Sequence, residues 1–284
     1  MSKNSIKRVF VSVFLSVLTG ITVFSGYQSA VLGLSVGWMG VFLTSAPLML
    51  MLGRAFVMSN LARTSERLPL ITGLGILGVL LAAYATFNAG GLLVLGLALV
   101  SFVGVQVYNY WYSDLSRTAS PFLQEGESLP EFTVYQPDGS PFSSKDLVGK
   151  PALILFYRGN WCPLCMAQIK EIAAQYRHMA DRGIEVLLIS PQPESQTQQL
   201  ADKFEVPFKF LVDRNNQAAV QLQIAMVNGL PLGLEALGYE GDTVFPTAIA
   251  VDASGVIIYS DQTSNYRVRP EPEDYLSVYA AHGI

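Results

Sequence analysis

Two long stretches of this 284-residue chain contain no charged side chain: residues 9–53, bounded by Arg8 and Arg54, and residues 68–113, bounded by Arg67 and Asp114. A helix crosses the hydrocarbon of a bilayer with about 20 residues, so each stretch is too long for one crossing and fits two. In the first, Ser25-Gly26-Tyr27-Gln28-Ser29 supplies turn residues, which predicts spans over 9–27 and 30–52. In the second, Asn88-Ala89-Gly90-Gly91 divides spans over 68–87 and 92–112. Gly73, Gly75, Gly78, Gly96 and Gly104 suit close helix approach in lipid. Tyr108, Tyr110, Trp111 and Tyr112 read as an aromatic belt at the water interface. A buried soluble helical core is the alternative, and runs this long without a charge argue against it. Lys3, Lys7 and Arg8 followed by an apolar run also resemble a leader, but no clear small-residue cleavage pattern follows, so an uncleaved anchor is expected.

Charge divides the chain at the same place. Residues 1–119 carry seven Lys/Arg and two Asp/Glu, and residues 120–284 carry eleven and twenty. A basic, apolar first part (net +5) before an acidic second part (net −9) predicts a membrane domain followed by a water-soluble one. The expected boundaries are a helical domain at 1–112, a linker at 113–130 and a soluble domain at 131–284. The acidic second part argues against nucleic acid as a partner, because phosphate binding needs a basic face. Lys3, Lys7 and Arg8 before the first span, and Arg54, Arg63 and Arg67 between the second and third, place both segments in the cytoplasm by the positive-inside rule. Four spans then return the soluble domain to the cytoplasmic side of a bacterial-type inner membrane, with the periplasm as the alternative.

In the soluble part, strands alternate with helices. The continuous apolar run 152–157 reads as a strand buried on both faces. A helix follows from about 163 to 182, with Ile169, Ile172, Ala173 and Tyr176 on one stripe and Gly183 ending it. Further strands are expected near 131–135, 184–190, 208–212, 247–251 and 256–260, and helices near 194–204, 215–224 and 272–280. Residues 225–242, rich in Gly and Pro, read as an insertion near the site. The pattern predicts a three-layer α/β sandwich with a mixed sheet.

The only two cysteines stand at Trp161-Cys162-Pro163-Leu164-Cys165, between the buried strand and its helix. That context brings Cys162 to a helix N-terminus, where the macrodipole and free backbone N–H groups favour a thiolate. Pro163 suits the first helical position, where its missing N–H is no loss. Cys165, one turn further in, is placed to attack a mixed disulfide on Cys162. Trp161 is expected as an apolar rim, or as plain packing. Arg158 is expected to add positive potential beside Cys162, or to pair with a surface acid. A zinc site would need both histidines, His178 and His282, and the pair could also be inert. No cysteine lies in the helical half, so electron transfer through it would need a quinone or another protein.

These residues resemble the thioredoxin-like superfamily, and within it the redoxin branch, the alkyl hydroperoxide reductase/thiol-specific antioxidant family. The resemblance spans about 130–280. It rests on Asp146-Leu147-x-Gly149-Lys150-Pro151, Trp161-Cys162-x-x-Cys165, and Phe245-Pro246-Thr247 through Asp252-x-x-Gly255. The run from Tyr157 to Cys165 and the late Asn265-Tyr266-Arg267-Val268-Arg269-Pro270 resemble a peroxiredoxin-like subgroup. The resemblance implies a thioredoxin-like sandwich and a redox-active Cys162–Cys165 pair with no other cofactor. It also implies a cis Pro246, with Thr247, beside the cysteines, where a substrate strand could pair.

Typical peroxiredoxins carry P-x-x-x-T/S-x-x-C. Counting back from Cys162, those positions hold Leu155 and Gly159, and from Cys165 they hold Arg158 and Cys162. The position of thioredoxin's buried acid holds Phe156, and Glu171 is a poor substitute. The first functional expectation is therefore a membrane-anchored thiol–disulfide oxidoreductase acting on a protein partner. A thiol peroxidase reducing hydroperoxides through a Cys162 sulfenic acid is second, and a non-enzymatic membrane redox-sensing or assembly module is third.

Overall fold

The computed structural model of the chain describes residues 3–31, 33, 35–57, 63–89 and 91–284. Four helices long and apolar enough to cross a membrane come first: α1 (Lys3–Val31), α2 (Val36–Val57), α3 (Pro69–Ala89) and α4 (Leu92–Val107). A π-helical turn, Tyr108–Tyr112, extends α4. The expected turn at 25–29 does not form. Nothing there lacks a backbone donor, and Ser25, fully buried, returns its hydroxyl to Thr22 O, so the helix continues. The connection moves to residues 32–35, of which 32 and 34 lie outside the described residues. So do 58–62 of the loop between α2 and α3, and Gly90 of the last turn.

Of the five glycines singled out for helix packing, three are used. A Cβ on Gly78 would meet Gly40 O at 2.5 Å, where α2 and α3 cross backbone to backbone. Gly75 makes room for Phe102, and Gly104 for Phe14. Gly73 and Gly96 face open space.

The second half is a mixed seven-stranded sheet in the order β2-β1-β5-β4-β3-β8-β9. Its elements, in chain order, are β1 (Thr133–Tyr135), β2 (Pro141–Ser143), β3 (Ala152–Phe156), α5 (Pro163–Ala174), α6 (Tyr176–Ala180), β4 (Glu185–Ser190), α7 (Glu194–Lys203), β5 (Lys209–Val212), α8 (Gln217–Gln221), β6 (Ala225–Met226), β7 (Thr243–Val244), β8 (Thr247–Val251), β9 (Ile257–Asp261) and α9 (Pro272–Ala281). β6 and β7 form a separate small ribbon. The single helix expected over 163–182 breaks at Gln175 into α5 and α6. The core strands are parallel along β3-β4-β5, and antiparallel where β8 joins β3 and β9 joins β8.

Side chains alternate across this sheet as a pleat requires. Leu153, Leu155, Val186, Leu188, Ala248 and Ala250 face α5, α7 and α9. Ala152, Ile154, Phe156, Leu187, Ile189, Ile249 and Val251 face α8. Two covered faces give the three-layer thioredoxin-like sandwich.

The first face does not end at α5. Its apolar cluster continues without a break into Val11, Leu18, Leu48, Leu52, Val105, Tyr108 and Tyr112 of the helical half. Residues 113–130, expected as a linker, lie along the β9 edge. Leu129 N–H donates to Gly255 O at 2.9 Å, Ile257 N–H donates to Glu127 O at 2.8 Å, and Leu123 is fully buried. An uncovered sheet edge would present these backbone groups to water or to another chain.

Candidate functional site

β3 ends at Phe156, and Tyr157 N–H still pairs with Ile189 O. The chain then turns through Arg158-Gly159-Asn160-Trp161 to Cys162, the N-cap of α5. Gly159 is needed at this turn. Its φ is +145°, and a Cβ there would sit 2.5 Å from Trp161 Nε1. Asn160 pins the loop: its N–H donates to Gln192 Oε1 at 2.8 Å, its Nδ2 to Gln196 Oε1 at 3.0 Å, and Tyr239 donates its hydroxyl to Asn160 Oδ1. Tyr239 brings the 225–242 insertion to the site, as expected.

Both cysteines are free thiols, each about 1% exposed. Cys162 Sγ accepts the Cys165 thiol at 2.7 Å and Cys165 N–H at 3.4 Å. Burial alone would raise the Cys162 pKa. The Cys165 hydrogen bonds and the charges of Arg158 and Arg269 outweigh it and bring Cys162 down to about 6. Burial and the neighbouring Cys162 push Cys165 well up. The surroundings thus favour a thiolate at Cys162 and a protonated thiol at Cys165.

Arg158 is 4% exposed. Its Nη2 donates to Gly229 O at 2.6 Å, and its guanidinium lies 4.7 Å from the Trp161 ring centroid. Thr243 Oγ1 donates to Arg158 O at 2.8 Å. Arg158 is therefore buried, not half of a surface ion pair. Pro163 occupies the first turn of α5 as expected.

The expectation for Pro246 and Thr247 is corrected. Among the described residues no peptide bond is cis. Thr247 pairs with Phe156 across the sheet, and Arg117 Nη1 donates to Pro246 O at 3.0 Å and Thr247 Oγ1 at 3.2 Å. The edge expected to receive a substrate strand is already covered by Arg117 of the 113–130 segment. Glu171 pairs with Arg63 of the α2–α3 loop at 2.6 Å and so serves docking.

Sequence reasoning missed Arg269, whose Nη2 lies 4.0 Å from Cys165 Sγ. Its only signal was its place in the singled-out run 265–270. It also missed Tyr108 and Tyr112, read as part of an aromatic belt at the water interface. Both are buried, stacked at 5.3 Å between centroids, and meet Tyr266 of the second half. Of the four aromatic residues only Tyr110, 57% exposed, faces outward as a belt residue should.

A cavity of about 370 Å³ meets Cys162 where the two halves join. Val11, Ser12 and Leu15 of α1 and Met49 and Leu52 of α2 form one wall, and Arg158, Trp161, Cys162 and Tyr266 form the other.

Residues 126–260 match the AhpC/TSA family. The chain is similar to the chloroplastic peroxiredoxin Q of Populus jackii, 30% identical over 105 residues, covering 37% of this chain and 49% of that protein. The chain thus spans about half the length of that relative. It is also similar to the thiol-disulfide oxidoreductase ResA of Bacillus thuringiensis (strain Al Hakam), 24% identical over 174 residues, covering 61% of this chain and 86% of that one. Among solved structures, peroxidoxin BcpB from Mycobacterium tuberculosis aligns over 56% of this chain and 97% of its own, at 16% identity and a TM-score of 0.46.

Proposed function

We propose, from the match of residues 126–260 to the AhpC/TSA family, that the protein is a membrane-anchored thiol–disulfide oxidoreductase using Cys162 and Cys165. The observation that carries the reading is the asymmetry of the pair: Cys162 Sγ accepts both the thiol and the N–H of Cys165, while Arg158 and Arg269 add positive charge beside it. In the reductive direction, the Cys162 thiolate attacks a substrate disulfide, forms a mixed disulfide and expels one substrate thiolate, which takes a proton from solvent. Once Cys162 carries no charge, Arg269 favours ionisation of Cys165. Cys165 attacks Cys162 Sγ as its proton passes to the departing second substrate sulfur. The Cys162–Cys165 disulfide forms and the second substrate thiol leaves. Trp161 and Arg158 shape the cavity wall beside the nucleophile. The four apolar helices anchor the domain, and the Lys/Arg pattern supports the cytoplasmic side.

A peroxidase reading has one observation in its favour: a sulfur 1% exposed at a cavity admits a small oxidant more readily than a folded protein. Against it, Gly159 stands where a peroxide-binding hydroxyl would be, and the nearby Thr243 hydroxyl is committed to Arg158 O.

The test is reduction of a disulfide substrate by the full chain in lipid. Activity is expected from the wild type and none from Cys162→Ser. Wild-type activity in Cys162→Ser would refute the assignment.

A further inference from the structure

The structure assigns the cavity beside Cys162 to the head group of a membrane-dissolved quinone, which accepts the two electrons of the dithiol. This deepens the dithiol reading above and rests on it. Three observations carry it.

First, the cavity is shared between the halves. Its redoxin wall includes Cys162 itself, and its other wall, apolar apart from Ser12, belongs to helices long and apolar enough to cross a membrane. Cys162 is about 1% exposed and meets this cavity, whose far wall is carried by α1 and α2. Leu232, 47% exposed, stands at the rim, so the cavity is not sealed.

Second, the walls suit a flat ring. Trp161, Tyr108, Tyr112 and Tyr266 line the cavity, and ring stacking and edge contacts favour planar apolar molecules. A volume of about 370 Å³ falls in the range of small-molecule sites.

Third, a buried donor at the cavity has no acceptor. Arg158 lines it and is 4% exposed, and its Nε has no hydrogen-bond partner among the described residues. A buried charged donor left unmatched is costly, and a ligand carbonyl would satisfy it. A quinone brings a carbonyl on a flat apolar ring.

The electron balance is complete. The Cys162 thiolate and the Cys165 thiol form one S–S bond and release two electrons and the Cys165 proton. The quinone takes both electrons, that proton and one more from solvent, and leaves as the quinol. The disulfide then oxidises an incoming dithiol by exchange, which regenerates the pair.

The experiment uses the full chain, pre-reduced and free of excess reductant, in anaerobic phosphatidylethanolamine/phosphatidylglycerol vesicles. Decylubiquinone is the probe, cystamine a small water-soluble disulfide for comparison, and a fatty-acid hydroperoxide a rival oxidant. One quinone is expected to disappear for every two thiols lost. Leu15→Trp and, from the facing helix, Met49→Trp are expected to lower the ratio of quinone rate to cystamine rate by about tenfold, the scale of a pocket mismatch. A second readout does not depend on the folding of either variant. Decylubiquinone should slow alkylation of Cys162 in the Cys165→Ser protein, which cannot complete the cycle. Three results overturn the proposal: a quinone rate no faster than that of free dithiothreitol, no protection of Cys162, or a hydroperoxide rate above the quinone rate. Failure with cystamine as well as quinone would instead overturn the dithiol reading on which the proposal rests.

Discussion

The Arg267 guanidinium donates to the Asn109 carboxamide oxygen at 2.7 Å, joining the last loop of the redoxin domain to the end of the fourth apolar helix. Arg267 is fully buried. It also donates to Ser113 Oγ at 2.8 Å, Thr64 Oγ1 at 2.8 Å, Ser65 O at 3.0 Å and Glu66 O at 2.9 Å. One side chain thus ties together the α2–α3 loop, the π turn after α4 and the redoxin domain. The wall of the Cys162 cavity depends on that docking.

Arg267→Met leaves these acceptors without their donor, at a cost of about 1–3 kcal/mol for the stranded groups. Faster proteolysis within residues 113–130 and faster alkylation of Cys162 are expected. Arg267→Lys is expected to rescue little, because an ammonium cannot replace a planar fork of donors. Wild-type protection in Arg267→Met would show that the apolar contacts alone hold the halves together.

Alkylation of the reduced protein against pH reports the site's electrostatics. Half-maximal thiolate reactivity is expected near pH 6 for Cys162, below the usual thiol value of about 8.5. Folding lowers this pKa. The thiolate's contribution to stability is therefore complete above the unfolded value and is lost as pH falls through about 6. Arg158→Met removes a facing charge and is expected to move the midpoint upward. An unchanged midpoint would remove Arg158 from the site.

The α2–α3 crossing gives a packing prediction. A Cβ on Gly40 would lie 2.5 Å from Gly78 O, so Gly40→Ala forces the helices apart and is expected to cost about 1–3 kcal/mol in thermal unfolding in detergent. Gly73→Ala, in open space, serves as the control and is expected to be neutral within about 0.5 kcal/mol. Equal effects would contradict the crossing.

The side of the membrane is the least local property of the chain. Lys7 donates to Asp114 O, Arg8 pairs with Glu235, and Arg63 pairs with Glu171 and Glu271. Charges read as topogenic therefore also dock the redoxin domain, and they lie on the same side as that domain. An alkaline phosphatase fusion after Asp114 is expected to be inactive if the Lys/Arg pattern sets orientation. An active fusion would place Cys162 outside the cytoplasm.

What was legible in the sequence was what local pattern encodes. Two charge-free runs gave four helices, the apolar run before Trp161 gave β3, and Pro163 after Cys162 marked the start of α5. What was not legible depends on partners far apart in the chain. Arg269 meets Cys165 across 104 positions, and Tyr108 meets Tyr266 across 158. No periodicity records such pairs, so Tyr108 and Tyr112 read as an interfacial belt although they line a cavity. The 113–130 segment was misleading for a related reason. It is polar in composition, yet its backbone is spent on the β9 edge, and through Arg117 it covers Pro246 O, where a substrate edge was expected.

The most direct measurement is trapping by Cys165→Ser in native membranes, followed by mapping of the adducts. A mixed disulfide at Cys162 should accumulate in Cys165→Ser and be absent from the Cys162→Ser/Cys165→Ser double variant, because the nucleophile has lost its resolving partner. A Cys165→Ser protein that carries no adduct, with Cys162 fully free after exposure to oxidised partner, would contradict the account.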